Sequence, residues 1–342
     1  MASVLVTGGA GYVGSVCCAE LLRLGHSVTV VDDLSAGFRD SVPRGAAFIP
    51  MDIGNRPEME KLVQSNDFNV VFHFAAKALV AESVANPGAY FQANVEAGIV
   101  MVEALRAAGM KNFVFSSSAA VYGTPERVPI EEDDPKKPVN PYGETKLIFE
   151  QILQWYAKSY GWSVTSFRYF NAAGATADWG ERHDPETHII PLLLQAAAGE
   201  REFFSICGDD YDTTDGTCLR DYVHVVDIAR AHIGALQKLN QPGMRVYNIG
   251  SGACYSVREV CDAVEKVVGH SVPVRVAGRR PGDPGVLHAN PQRIIRELKW
   301  KPGHSSLEEI LSSAWQWKQN HRPAHTSAKL VAVPGIEPGF PD

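Results

Sequence analysis

Tyr142 and Lys146, in NPYGETK, stand four residues apart, and at that spacing two side chains share one face of a helix. A phenol with an ordinary pKa of about 10 is a poor base at neutral pH, but a neighbouring ammonium favours the phenolate. Such a pair can take a proton from an alcohol. An isolated YxxxK is also common on surface helices, as an exposed tyrosine beside a solvated lysine. Asn140 and Pro141 mark a helix start here, a cap followed by a proline in the first turn. SSSAAVYG at 116–123 ends a strand-like run in hydroxyls and then presents Ala119 and Ala120. TGGAGYVGS places Gly8, Gly11 and Gly14 directly after an apolar run and at the opening of a helix. Glycines so placed permit a tight turn, close approach to a pyrophosphate and close helix packing, with the phosphates at the positive end of the helix. The bland alternative is a plain strand-to-helix connection. Asp32 and Asp33 close the second strand-like run, where a carboxylate accepts hydrogen bonds from an adenosine ribose and repels a 2′-phosphate. NAD is therefore expected over NADP. Asp52, in PMDI, is read either as an adenine neighbour or as a simple strand end.

These residues need a scaffold, and the pattern supplies one. Runs of buried-strand type at 3–7, 28–32, 46–50, 70–74, 112–116 and 164–169 alternate with helical stretches near 12–24, 56–66, 89–109 and 141–160. The expected fold class is α/β, a doubly wound parallel Rossmann-type sheet with ligands beyond the carboxyl ends of its strands. This first domain is read as residues 1–171. Residues 172–321 are expected to form a smaller mixed α/β C-terminal lobe. Its strands are read near 203–207, 218–223, 246–249 and 272–276, with some segments returning to the main sheet. Residues 322–342, with three prolines after Pro323 and no period, read as a disordered tail.

Composition narrows the function. The 342 residues carry a formal charge of −7 and no dense basic block, which argues against nucleic acid as a partner. No run approaches the ~18 apolar residues that a membrane span requires. The start, MASVLVTGG, has no basic leader, so a cytoplasmic protein is expected. Six cysteines lie scattered without a CxxC pair, so free thiols are expected and no metal site.

TGGAGYVG, SSSAAVYG, PYGETK, RYFNAAGA and GTCLRDYVHVVD, in this order, resemble the extended short-chain dehydrogenase/reductase family, and within it the UDP-sugar 4-epimerases. The resemblance covers roughly residues 3 to 320 and implies a catalytic Ser118, Tyr142 and Lys146. It implies NAD contacts at Gly8, Gly11, Tyr12, Val13, Gly14, Asp32, Asp33, Asp52, Ile53, Phe74, Ala75, Ala76, Lys77, Asn94, Tyr142, Lys146 and Phe170. For a UDP-sugar substrate it implies Ser118, Asn171, Arg220, Arg280, Asp283 and Leu287. Arginine suits phosphate because its planar fork donates paired, charge-assisted hydrogen bonds. The bland reading is that Arg220 pairs with Asp221, and that Arg279, Arg280 and Asp283 neutralise one another. His188, in PETHIIP, is read either as a sugar or uridine contact or as a helix cap. The resemblance further implies a homodimer joined through the helices near 89–109 and 141–160, whose apolar faces are read equally as intramolecular core.

The chain departs from the family pattern at Ala78, which stands where one branch has a lysine, and at Cys207, where an aromatic often flanks the uracil. Leu287 replaces the bulky tyrosine of epimerases restricted to plain hexoses. UDP-glucose and UDP-galactose lead, with UDP-N-acetylhexosamines or UDP-pentoses as alternatives. A nucleotide-sugar dehydratase or decarboxylase competes, but elimination needs a general acid that Ala119 and Ala120 do not supply. A non-catalytic NAD-binding regulator is a third reading, and it is expected to have lost Tyr142 or Lys146.

Overall fold

The computed structural model describes residues 1–280 and 282–321. The expectation for the tail, 322–342, lies outside the described residues. The strands are β1 (Ser3–Thr7), β2 (Ser27–Asp32), β3 (Ala47–Pro50), β4 (Val70–His73), β5 (Asn112–Ser118), β6 (Ser163–Tyr169), β7 (Asn171–Ala173), β8 (Phe204–Cys207), β9 (Leu219–Arg220), β10 (Tyr222–His224), β11 (Gly243–Ile249), β12 (Tyr255–Ser256), β13 (Val274–Ala277) and β14 (Val286–Leu287). The α-helices are α1 (Tyr12–Arg23), α2 (Arg56–Gln64), α3 (Val80–Ala85), α4 (Pro87–Phe91), α5 (Ala97–Ala107), α6 (Pro141–Tyr160), α7 (Ile189–Ala197), α8 (Val225–Gly234), α9 (Val257–Val268), α10 (Gln292–Leu298) and α11 (Leu307–Asn320).

Seven strands form one sheet in the order β3-β2-β1-β4-β5-β6-β11, all parallel. β1 to β3 run outward on one side and β4 to β6 on the other, so the winding reverses between β1 and β4. A crevice opens at such a point, beyond the carboxyl ends of the strands. The inner strands are largely apolar because both faces are covered. Val4, Val6, Val30 and Phe72 pack with α1 and α8 on one side, while Leu5, Val31, Val71, Phe113 and Phe115 pack with α2, α5 and α6 on the other. β11, from the second half of the chain, extends this sheet beside β6. A third cluster, built on Leu193, Ile206, Val260, Val264 and Ile310, holds α7, α9 and α11 together.

Two expected elements divide, each for a local reason. The helical stretch 89–109 begins earlier, at Val80, and is broken at Asn86-Pro87, where Asn86 caps α4 by accepting from the Ala89 N–H. It then passes through a π turn at Gln92–Glu96 before α5. The strand expected at 218–223 splits at Asp221 into β9 and β10. Asp221 is fully buried, and its carboxylate accepts from Ser251 N, Ser251 Oγ and Gly252 N at 2.7, 2.8 and 3.1 Å. That pull redirects the chain: β9 pairs with β12 and β14, and β10 pairs with β7.

Candidate active site

The glycine loop follows β1 at the point where the winding reverses. A β-carbon on Gly14 would lie 2.2 Å from the Gly8 oxygen, so the first turn of α1 can close on the loop only without side chains there. α1 has no side-chain cap and no acid in its first turn, which leaves its positive end available to an anion. Asp32 ends β2 facing this loop. Its two oxygens accept from Ala10 N and Leu34 N, both at 2.9 Å, and each keeps capacity for a second donor. Burial pushes its pKa up while those two amides pull it back. Asp33 is exposed and bonds Ser35. Asp52 is exposed and holds a turn at Gly54, and Ile53 is buried in the core.

Phe74, Ala75, Ala76 and Lys77 form the loop after β4, packed directly against Gly8, where an added β-carbon would lie 2.3 Å from Ala75 N. Phe74 N and Ala75 N both donate to Thr7 O, at 2.8 and 3.0 Å. Asn94 buttresses this loop from behind: it accepts from Lys77 N at 2.8 Å and donates to Lys77 O and Thr145 Oγ1, both at 3.0 Å. The π turn gives Asn94 that reach. Lys77 points outward to Glu82 at 3.2 Å. Tyr12 and Val13 open α1, and the Tyr12 hydroxyl donates to Gly174 O at 2.5 Å, tying the glycine loop to the segment after β7.

Ser118 ends β5 and caps the short 3-10 turn Ala119–Tyr122, its hydroxyl accepting from Ala120 N at 3.1 Å. Asn140 caps α6 through Gly143 N at 2.8 Å, which fixes Tyr142 and Lys146 in the first two turns. The two elements touch at Gly143, where an added β-carbon would stand 2.5 Å from the Ala120 oxygen. Burial raises the Tyr142 phenol above its ordinary value, and a hydrogen bond with Ser118 pulls it down. Lys146 Nζ donates to Ser116 O at 2.8 Å and lies 5.9 Å from the Tyr142 ring centre. Burial pushes Lys146 down to about 7, with Glu150 one turn on drawing it up. Serine, phenol and amine thus converge at the carboxyl end of the sheet. A half-buried phenol one helical turn from a buried lysine, on a helix packed against the turn that Ser118 caps, is equipped to accept a proton from a bound alcohol.

The residues expected to meet the substrate come mostly from the second half, and they adjoin Phe170, expected at the cofactor. Phe170 is buried with Ala119, Tyr122 and Ala289, and Leu287 packs against that group. Asn171 donates through its amide to Asp221 O at 2.8 Å. Arg220 is 9% exposed and pairs with Asp283 at 2.5 Å, bringing together two residues 63 apart in sequence. Asp221 turns the other way, into its own loop. Arg279 pairs with Asp210 at 2.6 Å and lies over the Tyr211 ring, while Arg280 is exposed. Cys207 ends β8 opposite Ala277. His188 is exposed at the N-cap position of α7 without a side-chain capping bond, its Nδ1 being 2.8 Å from Glu186.

With this geometry the comparisons are decisive. The model of the NAD dependent epimerase/dehydratase family matches residues 4–250. The chain belongs to this family. The UDP-glucose 4-epimerase of Corynebacterium glutamicum is 46% identical over 312 residues, 91% of this chain and 94% of that protein. A solved UDP-glucose 4-epimerase aligns with a TM-score of 0.91 at 42% identity, covering 93% of this chain and 98% of that one. The solved UDP-glucose 4-epimerase of Stenotrophomonas maltophila, with bound NAD and formylated UDP-arabinopyranose, aligns with a TM-score of 0.90 at 39% identity over 94% of this chain and 98% of that one.

Behind this epimerase-family site lies a network that the sequence reading missed. Arg168, on β6, donates to both oxygens of Glu150 on α6, to the Tyr122 hydroxyl and to Glu132 O. Tyr122 in turn donates to Asn248 Oδ1 at 2.7 Å, and Glu132 accepts from Asn248 N at 3.0 Å. An arginine inside the apolar run VTSFRY was the available signal, because a buried guanidinium requires an acid from elsewhere in the chain. Which acid, no local pattern specifies.

Proposed function

We propose that the protein interconverts C4 epimers of a UDP-sugar, UDP-glucose and UDP-galactose foremost, with NAD retained through the cycle. The observation that carries this is Tyr142 and a buried Lys146 on successive turns of α6, whose Gly143 packs against the turn that Ser118 caps, at the crevice the glycine loop enters. The glycine loop, Asp32 and the 74–77 loop fit a dinucleotide: small residues line the approach, and a carboxylate sits at the end of β2. NAD, when bound, supplies a reversible hydride acceptor for C4. Tyr142 takes the proton of the 4-hydroxyl, Ser118 bridges that hydroxyl to the phenol, and the Lys146 ammonium stabilises the phenolate. The 4-keto sugar then turns over before Tyr142 returns its proton. Ala119 and Ala120 follow Ser118 without an acid, which supports epimerisation over elimination. Arg220 and Arg280 take the diphosphate, Asp283 the uridine ribose, and His188 and Asn171 flank the sugar or uridine.

The same reading includes a cytoplasmic homodimer. No helix among the described residues is long and apolar enough to cross a membrane. Phe91, Ile99 and Trp155, on α4, α5 and α6, leave apolar surface exposed, Trp155 at 62%. Sedimentation of the full chain tests the dimer.

The activity is tested by incubating purified protein, without added cofactor, with UDP-galactose and following UDP-glucose by NMR. Tyr142→Phe is expected to lower kcat by about 10²- to 10⁴-fold with NAD still bound. Release of a 4-keto-6-deoxy sugar by the wild-type protein would overturn the proposal. A panel of UDP-hexoses, UDP-N-acetylhexosamines and UDP-pentoses then locates the substrate range that Leu287 leaves open.

A further inference from the structure

The segment leading into α7 repeats a short unit: Glu181-Arg182-His183, then Glu186-Thr187-His188. Both copies fold alike. Glu181 Oε1 accepts from Arg182 N, His183 N and His183 Nδ1 at 2.8, 2.9 and 2.5 Å. Glu186 Oε1 accepts from Thr187 N, His188 N and His188 Nδ1 at 2.7, 2.7 and 2.8 Å. The backbone fixes each carboxylate, and each carboxylate fixes its imidazole. The two units face each other, with ring centres 5.4 Å apart and His188 Nδ1 3.9 Å from Glu181 Oε2.

Among the described residues, Glu181, His183 and His188 form the one group of three whose ligand-type atoms all lie within 4.8 Å of one another. The geometry points to a binding site for one divalent cation of the zinc class, held by Glu181, His183 and His188, with Glu186 orienting His188. Tetrahedral bonds of about 2.0–2.2 Å place ligand atoms roughly 3.3 Å apart, so modest side-chain rotation suffices. Two imidazoles and a carboxylate select zinc, cobalt or nickel over magnesium or calcium, which prefer all-oxygen shells. Because Glu186 holds His188 Nδ1, ligation falls to His188 Nε2 after rotation, and a carboxylate so placed behind a ligating histidine fixes its tautomer and raises its basicity. The carboxylates Glu181 and Glu186 supply compensating negative charge. The one intervening cation is directed elsewhere, because Arg182 reaches Asp40 at 2.8 Å and lies over the Phe38 ring at 4.0 Å. Three protein ligands leave a fourth position for water or an anionic oxygen.

The site shares His188 with the proposed substrate contact, so its test reads cobalt binding and not activity. The full chain with its retained cofactor is titrated with Co²⁺ and followed by visible absorption and calorimetry. One equivalent is expected, with d–d bands and no thiolate charge-transfer band. His183→Gln and His188→Gln are expected to abolish that equivalent while circular dichroism shows an unchanged fold. Glu186→Gln, which keeps all three ligands, is expected to weaken Co²⁺ binding by about 10- to 100-fold. Absence of binding to the wild-type chain sinks the proposal. So does an equivalent that survives both histidine substitutions, or a thiolate band that places cobalt on the half-buried Cys207 or Cys254.

Discussion

Arg168–Glu150 and Arg220–Asp283 are both short arginine–carboxylate pairs, at 2.6 and 2.5 Å, set in different surroundings. The first pair is 4% and 5% exposed, and every partner it has is protein: Ser166, Tyr122 and the Glu132 carbonyl complete its hydrogen bonds. The second is 11% and 30% exposed beside the small β12-β9-β14 sheet, and only the acid and two carbonyls hold the arginine. A closed network fixes where β6, α6 and the Ser118 turn stand. An open pair leaves a guanidinium able to exchange its carboxylate for a stronger anion, and on the proposed function that anion is the substrate diphosphate competing with Asp283. Equal distances therefore carry different meanings, and the surroundings decide between scaffold and site.

Four substitutions test that contrast. Glu150→Ala leaves Arg168 buried without its acid and is expected to cost about 3–5 kcal/mol of unfolding free energy in urea. A loss below 1 kcal/mol would show that the network is no scaffold. Arg220→Ala should leave the unfolding free energy within about 1 kcal/mol of wild type. Its effect should fall on UDP-sugar KM, raised by about 10- to 100-fold through the loss of a charged hydrogen bond worth about 1.5–3 kcal/mol. An unchanged KM breaks the comparison from the other side.

Lys146 lies one turn before Glu150, so the closed network reaches the chemistry through its charge. Because the folded-state pKa of Lys146 is lowered to about 7, the folded protein binds fewer protons than the unfolded chain between that value and 10.5. The buried ammonium therefore costs stability fully below pH 7, and the cost fades as pH rises towards 10.5. Lys146→Met should raise the urea midpoint of the cofactor-free protein at pH 6 and raise it less at pH 9.5. The reverse order would contradict the assignment. The smallest change is expected for Asp283→Asn, which keeps the shape of the open pair and should move stability by less than about 1 kcal/mol.

Most of the sheet was legible in the sequence because its parallel strands are buried on both faces and read as unbroken apolar runs. The glycine loop, Asp32 and the Tyr142–Lys146 spacing were legible because each is a local pattern. Arg220 and Asp283 were both named, but their pairing was not, and the alternative of Arg220 with Asp221 failed because Asp221 serves the 251–252 loop. The division of 218–223 and the Arg168 network depend on partners tens of residues away. Asn94 was expected as a cofactor contact, and the structure shows its amide engaged with the backbone of Lys77. Short-range periodicity carries none of this information.

The contact between Gly143 and the Ala120 oxygen bears on how this enzyme can change over generations. Two residues that present no functional group act as a spacer gauge between Ser118 and Tyr142. Leu287 packs against the same turn through the group that holds Ala119 and Tyr122, so a change of bulk there presses on that gauge as well. A single methyl at position 143 would have to displace the Ala120 carbonyl, and with it the turn that carries Ser118. Change around Leu287 and change at Gly143 thus converge on one short turn.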